Sequence, residues 1–160
     1  MTRTPGGRRI LFGFVACAAI GLGIFSVMVY RAVTIERVPP SEALRRIQAI
    51  RAVLPAGPPV LTLDDAGTVV RREEPRTTAP VPIRRLSVLA YHADAQRLLS
   101  ADVPFWFFRI KGPAARYAVR DTGFDLDRLG ITPADLERHG PSVVIDRVRP
   151  NGDRLLVWTE

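Results

Sequence analysis

Cysteine is nearly missing from this 160-residue chain: the only one, Cys17, lies in an apolar run near the N-terminus. No disulfide can form in the rest of the chain, so a domain there must stand on its packing. Histidine occurs only at positions 92 and 139. A catalytic zinc site usually takes three protein ligands and a structural one four. His92 and Asp94 supply two, in an H-x-D pair that would face one side of an extended chain. Serine occurs only at 26, 41, 87, 100 and 142. None stands in a G-x-S-x-G context, and Ser87, His92 and Asp94 could form a triad only by folding. No G-x-G-x-x-G or P-loop spacing appears. The carboxylate pairs are better explained locally: Asp64-Asp65 by a turn, Glu73-Glu74 by a solvated loop, Asp125 and Asp127 by helix capping. The sequence therefore predicts no catalytic residue, no metal and no cofactor. Internal repeats and low-complexity tracts are absent too.

Lysine is as scarce as cysteine, with Lys111 alone against many arginines. That bias, with 14 prolines and many alanines, looks like the composition of a GC-rich bacterial genome. The net charge is +7, but three of the 23 basic residues precede the apolar run and all 16 acidic ones follow it. The part after the run thus carries only +4. Arg and Asp/Glu alternate along it, which reads as solvated surface rather than the one-sided basic patch of a nucleic-acid binder.

What the chain does have is a long hydrophobic run. Ile10 to Tyr30 contains no charge, with Arg3, Arg8 and Arg9 before it and Arg31 after it. A helix of that length spans about 31 Å, close to the roughly 30 Å hydrocarbon core of a bilayer. The run is longer than the core of a cleaved signal and ends in Val29-Tyr30-Arg31, a poor cleavage site. A lipoprotein signal at Cys17 would be preceded by Phe14, a poor residue there. Arg8-Arg9 suggests twin-arginine export, but paired arginines are common before plain anchors. The expectation is an uncleaved signal anchor at 10–30, with a cytoplasmic stub at 1–9. The flanking arginines nearly balance, so orientation rests on length: a long domain crosses with little regard to charge, whereas a short arginine-rich tail resists. The N-terminus is expected in the cytoplasm and the C-terminal part outside the inner membrane. Gly13, Cys17 and Gly21 recur every four residues, a small-residue stripe that could pack two such helices into a homodimer.

After a juxtamembrane spacer at 31–40, residues 41–160 are enough for one domain. Ser41 is expected to cap a helix ending near Leu54 before Pro55. Val60–Leu63 and Thr68–Arg72 read as a hairpin around Asp64–Gly67, and Glu73–Pro82 as an extended loop. Ile83–Tyr91 reads as a strand alternating at Leu86, Val88 and Ala90. Asp94–Ser100 reads as a short helix, Phe105–Ile110 as a strand, and Ala114–Arg120 as one or two helical turns. Thr132–Gly140 has a cap, Pro at the first helical position, Asp135 answering the cap, and a terminal glycine. Ser142–Val148 and Arg154–Thr159 form a hairpin whose Asn151-Gly152 supplies positive-φ residues. The expected class is α+β: one transmembrane helix, then a small domain of short antiparallel strands with intervening helices.

The segment Pro104–Arg120 is the most unusual in the domain. Four aromatics in a row precede Arg109, Lys111, Arg116 and Arg120. Aromatics beside cations suit a membrane interface or an anionic ligand, which makes Trp106, Arg109, Lys111, Arg116 and Arg120 the candidate contact residues. The competing reading is a central strand followed by surface arginines. Function is expected to be that of a membrane-anchored, non-enzymatic accessory or interaction protein of the bacterial envelope. Its partners would be membrane lipid through 10–30 and other envelope proteins, with no nucleic acid. The alternatives are a binder of membrane surfaces or anionic ligands through 104–120, and a hydrolase around His92 and Asp94.

Overall fold

The structure, a computed structural model, describes residues 33–109 and 129–160. The chain divides after Ala32, and the second unit, Val33–Glu160, carries all described residues. The expected anchor at 10–30 and its stripe at Gly13, Cys17 and Gly21 lie outside them. So do Lys111, Arg116, Arg120 and the expected turns at 114–120. Among the described residues no helix is long and apolar enough to cross a membrane.

The elements are β1 (Val33–Arg37), α1 (Pro40–Val53), β2 (Leu61–Leu63), β3 (Val69–Arg72), β4 (Arg85–His92), β5 (Arg97–Pro104), α2 (Trp106–Arg109), α3 (Pro133–His139), β6 (Ser142–Val148) and β7 (Arg154–Thr159). The strands form one mixed sheet of seven in the order β1-β5-β4-β7-β6-β2-β3. All neighbours are antiparallel except β2 and β6, which are parallel. This is an α+β domain with a mixed sheet, not the antiparallel one expected, because β2 lies parallel to β6.

The sheet grows from two hairpins. β4 turns into β5 and β6 into β7, and β4 pairs with β7 to join them. In the β6–β7 loop only Gly152, at φ 88°, takes a positive φ, not Asn151 as the Asn-Gly signal suggested. Five loop residues allow a wider turn, in which Asn151 instead braces Asp153 through side-chain and backbone hydrogen bonds. The Asp64–Gly67 turn forms as expected, with the Asp64 carboxylate accepting the Thr68 N–H at 2.7 Å.

Helix α1 begins at Pro40, with Pro39 at the cap position and no side-chain cap bond. Ser41 is therefore inside the helix, not its cap. A proline suits the first helical position because its φ is preset and its missing N–H would be unpaired there anyway. Glu42 in the first turn holds Arg45 and Arg46. The helix stops because Leu54 precedes Pro55 and is forced into extended backbone. Ala43 and Ile47 face the sheet and pack with Leu89, Tyr91, Leu98, Val143, Leu156 and Trp158. Burying a side chain such as Ile47 contributes about 1.5–3 kcal/mol.

Four further expectations need correction. Residues 33–37, assigned to a spacer, form the edge strand β1, paired from Val33↔Ala101 to Arg37↔Arg97. Asp94–Ser100 is not a helix: a turn over Ala93–Gln96 leads into β5. A short helix has one apolar stripe and could not bury both neighbours well, whereas pairing beside β4 buries Leu98 and Leu99 on opposite faces of the sheet. β4 does not alternate; Leu86 to Tyr91 are all buried. It is central, so the face carrying Ser87, Leu89 and Tyr91 is covered as well as the other. Finally, Phe105 begins no strand. β4–β5 pairing ends at Arg85↔Pro104, and without a partner the chain curls into the single helical turn α2. That turn buries Phe105, Phe107 and Phe108 and leaves Trp106 half-exposed.

Candidate interaction site

Within the aromatic–basic segment, the turn α2 decides which side chains are free. Phe105 is anchored by its N–H to the Arg84 carbonyl at 2.9 Å. Its ring lies 6.2 Å from that of Phe108, and Phe107 and Phe108 meet edge-on. Trp106 is 50% exposed. Arg109 is not a free cation: its guanidinium donates through Nε at 3.0 Å, and also through Nη2, to Oε1 of Glu137 on α3. Glu137 is nearly buried and Arg109 is mostly exposed, so the pair pins α2 to α3 from the outside. Of the five candidate contact residues, then, Trp106 presents itself to solvent, Arg109 is ion-paired, and the other three lie outside the described residues.

The hydrolase candidates do not converge. His92 is exposed at the end of β4, opposite Arg97. Asp94 is exposed in the following turn, and no hydrogen bond or ion pair joins the two among the described residues. Ser87 is on the same strand as His92. Five residues of strand separate them by about 17 Å and place them on opposite faces. The Ser87 hydroxyl instead donates to Asp102 across the hairpin at 2.5 Å. Among the described residues no group of His, Cys, Asp and Glu could hold a metal ion. Asp64 is committed to its turn and Glu73 pairs with Arg71 at 2.9 Å. Asp125 and Asp127 lie outside the described residues.

Sequence reasoning missed a polar cluster around the C-terminal end of α3. The start of that helix is as expected: Thr132 Oγ1 accepts the Asp135 N–H at 3.1 Å, and Asp135 accepts the Thr132 N–H at 3.0 Å. These bonds from Thr132, side chain before backbone, hold the Asp135 carboxyl below its ordinary pKa. At the other end, the last-turn carbonyls of a helix lack intrahelical partners. Here the extended loop after β3 supplies them. Thr77 donates to the Arg138 carbonyl through both its hydroxyl and its N–H, and Val81 donates to the Glu137 carbonyl at 2.8 Å. Ser142 and Thr159, both buried, donate their hydroxyls to the Gly140 carbonyl at 3.0 and 2.8 Å. His139 is buried beside them, and burial first, then the nearby charge of Arg76, lowers its pKa. Thr77 is one residue of a Pro- and Thr-rich loop, and no local signal pointed to this docking.

No family model, curated protein or solved structure matches this chain.

Two further features remain. Nε and Nη2 of Arg147 on β6 are buried without a hydrogen-bond partner; both atoms are sealed from solvent, so no open site leads to them. The sheet also ends in two strands with a single neighbour each. β1 is hydrogen-bonded only to β5, and β3 only to β2, among the described residues. Both carry an exposed aliphatic residue, Ile35 at 61% and Val70 at 62%. An open strand edge presents unpaired N–H and C=O groups, a template for another chain. β3 ends in Arg71-Arg72, charges that discourage such pairing. β1 carries one charge of each sign, Glu36 and Arg37.

Proposed function

We propose that this chain is a single-pass, membrane-anchored, non-enzymatic accessory or interaction protein of the bacterial envelope. Its 10–30 run would be the anchor, the N-terminus cytoplasmic and the sheet domain extracytoplasmic. One observation carries the non-catalytic part: the buried or half-buried polar groups hold the fold, while His92 and Asp94 do not converge. Ser87 bonds Asp102, Glu137 bonds Arg109, and Ser142 and Thr159 bond the Gly140 carbonyl. What the domain offers outward is strand edge and a half-exposed tryptophan. Arg31 and Ala32 are the only residues between the apolar run and β1. Anchoring the run would therefore keep the domain within a short chain length of the bilayer. Purification of the full chain in detergent tests the reading. It should return in stoichiometric complex, and a chain ending at residue 32 should lose that association. Recovery as a lone monomer, or an unchanged association after truncation, overturns it.

Trp106 favours a second reading, contact with the membrane surface through α2. The chain has two tryptophans, and the other, Trp158, is buried. In full-length Trp158→Phe protein placed in acidic nanodiscs, brominated lipid should quench Trp106. Unquenched emission sinks this reading.

A further inference from the structure

We infer that the outer edge of β1, unpaired among the described residues, pairs with β1 of a second copy, antiparallel and centred on Ile35, joining two seven-stranded sheets into one. The inference deepens the interaction reading by naming an occupant for one edge.

The backbone sets which groups face outward. The Val38 N–H donates to the Gln96 carbonyl at 3.0 Å, continuing the β1–β5 register that pairs Arg37 with Arg97. Hydrogen-bonded pairs alternate along an antiparallel ladder. Val38, Glu36 and Thr34 therefore turn their backbone groups toward β5, and Val33, Ile35 and Arg37 turn theirs to the free edge. A two-fold axis through Ile35 makes Ile35 face Ile35 of the second copy, and Val33 face its Arg37. All outward-facing groups of both strands then find partners.

The side chains agree with that register. Glu36 pairs with Arg46 of α1 at 2.7 Å, so Glu36 and Thr34 share the α1 side and Ile35 lies on the other. Centred on Ile35, the dimer sets the two exposed isoleucines side by side. It places Thr34 opposite Glu36, and Val33 beneath the aliphatic stem of Arg37. No like charges oppose. Sliding by two residues one way sets Glu36 against Glu36; sliding the other way loses the Arg37 pairs. On the β3 edge, pairing about Arg71 would oppose two arginines, and a bulge interrupts its ladder with β2 between Thr62 and Leu63. β1 itself has no Pro and no bulge between Val33 and Arg37, and its two charges, Glu36 and Arg37, are of opposite sign. A five-residue edge is small against the 1,200–2,000 Å² of a standard interface. Two copies held in one membrane would raise the effective concentration enough for so small a contact to form.

Cysteine cross-linking in native membranes tests this with the full chain. In a Cys17→Ser background, Ile35→Cys is the only thiol. Opposed residues of a hydrogen-bonded antiparallel pair have Cα atoms about 5.5 Å apart, inside the 4.4–6.8 Å range of disulfides. Mild oxidation should convert most of the Ile35→Cys protein to covalent dimer. Thr34→Cys alone should dimerise several-fold less, while co-expressed Thr34→Cys and Glu36→Cys chains should cross-link to each other. Val148→Cys, exposed and away from β1, sets the background of random collision. Dimer at Ile35 no greater than at Val148, equal dimer at 34 and 35, or capture of a different protein at 35 each overturns the inference. Ile35→Pro provides a second check. It removes an N–H that β5 does not use, so the monomer should fold while energy transfer between C-terminally labelled chains in the same membranes falls to background. Undiminished dimer in that variant also overturns it. A negative result here leaves a stoichiometric complex with another protein intact, so the two failures are distinguishable.

Discussion

Arg109→Ala separates a fold-holding arginine from a ligand-binding one. Glu137 is the more buried partner, its side chain 11% exposed, and its Oε1 takes both bonds from Arg109. Removing Arg109 leaves a mostly buried carboxylate with its charge uncompensated. A hydrogen bond to a charged group is worth about 1.5–3 kcal/mol, but Arg109 is 62% exposed and solvent screens its side of the pair. The expected loss is about 1–2 kcal/mol. For a unit of this size that is a fall in Tm of roughly 3–8 °C. Thermal unfolding of the full chain in detergent, followed by near-ultraviolet circular dichroism, reads it out. A double-mutant cycle with Glu137→Gln should recover most of the loss as coupling between the two residues. A Tm within 1 °C of wild type (on the order of 0.3 kcal/mol), with coupling indistinguishable from zero, would refute the claim that Arg109 is a structural pin. It would restore Arg109 as a free cation beside Trp106.

Three more predictions concern α3. Thr132→Ala removes the cap and should cost about 1 kcal/mol in chemical denaturation at neutral pH. Because the folded-state pKa of Asp135 is depressed, its contribution is full above its unfolded value of about 3.9 and fades as pH falls through the folded one; the variant's deficit should therefore shrink in acid. His139 has the opposite chemistry: its pKa is lowered in the fold, so the unfolded chain binds more protons just below about pH 6.5. Stability should drop as pH falls through that value, and His139→Phe should flatten the slope; an unchanged slope contradicts its burial as a neutral ring. Gly140 sits at φ 67° with Val81 Cβ 3.4 Å from where its own Cβ would lie. Gly140→Ala should cost about 1–3 kcal/mol and loosen the loop docked on the helix end, seen as faster amide exchange at Thr77 and Val81.

The parts legible in the sequence are those set by neighbours along the chain. Thr132 and Asp135 cap each other three residues apart, Pro133 suits the position between them, and Gly140 stops the helix. Pro55 stops α1 as surely, and Asp64-Asp65-Ala66-Gly67 announces its turn. The misread parts depend on strands far away. Leu98 and Leu99 look like a helical pair until β4 lies alongside. Val33–Arg37 looks like a spacer until β5 offers it an edge. Phe105 to Phe108 look like a strand because each is apolar, but the sheet had no neighbour left for them. The candidate site fared less well for the same reason. Nothing local to Arg109 signals a carboxylate 28 residues on, and nothing near Thr77 signals the carbonyl of Arg138.

The central claim is a domain tethered outside the cytoplasmic membrane by residues 10–30. A C-terminal alkaline phosphatase fusion to the full chain tests it most directly, since that enzyme matures only outside the cytoplasm. The fusion should be active and stay with the membrane through alkaline carbonate extraction. An inactive fusion, or one released by carbonate, would contradict it.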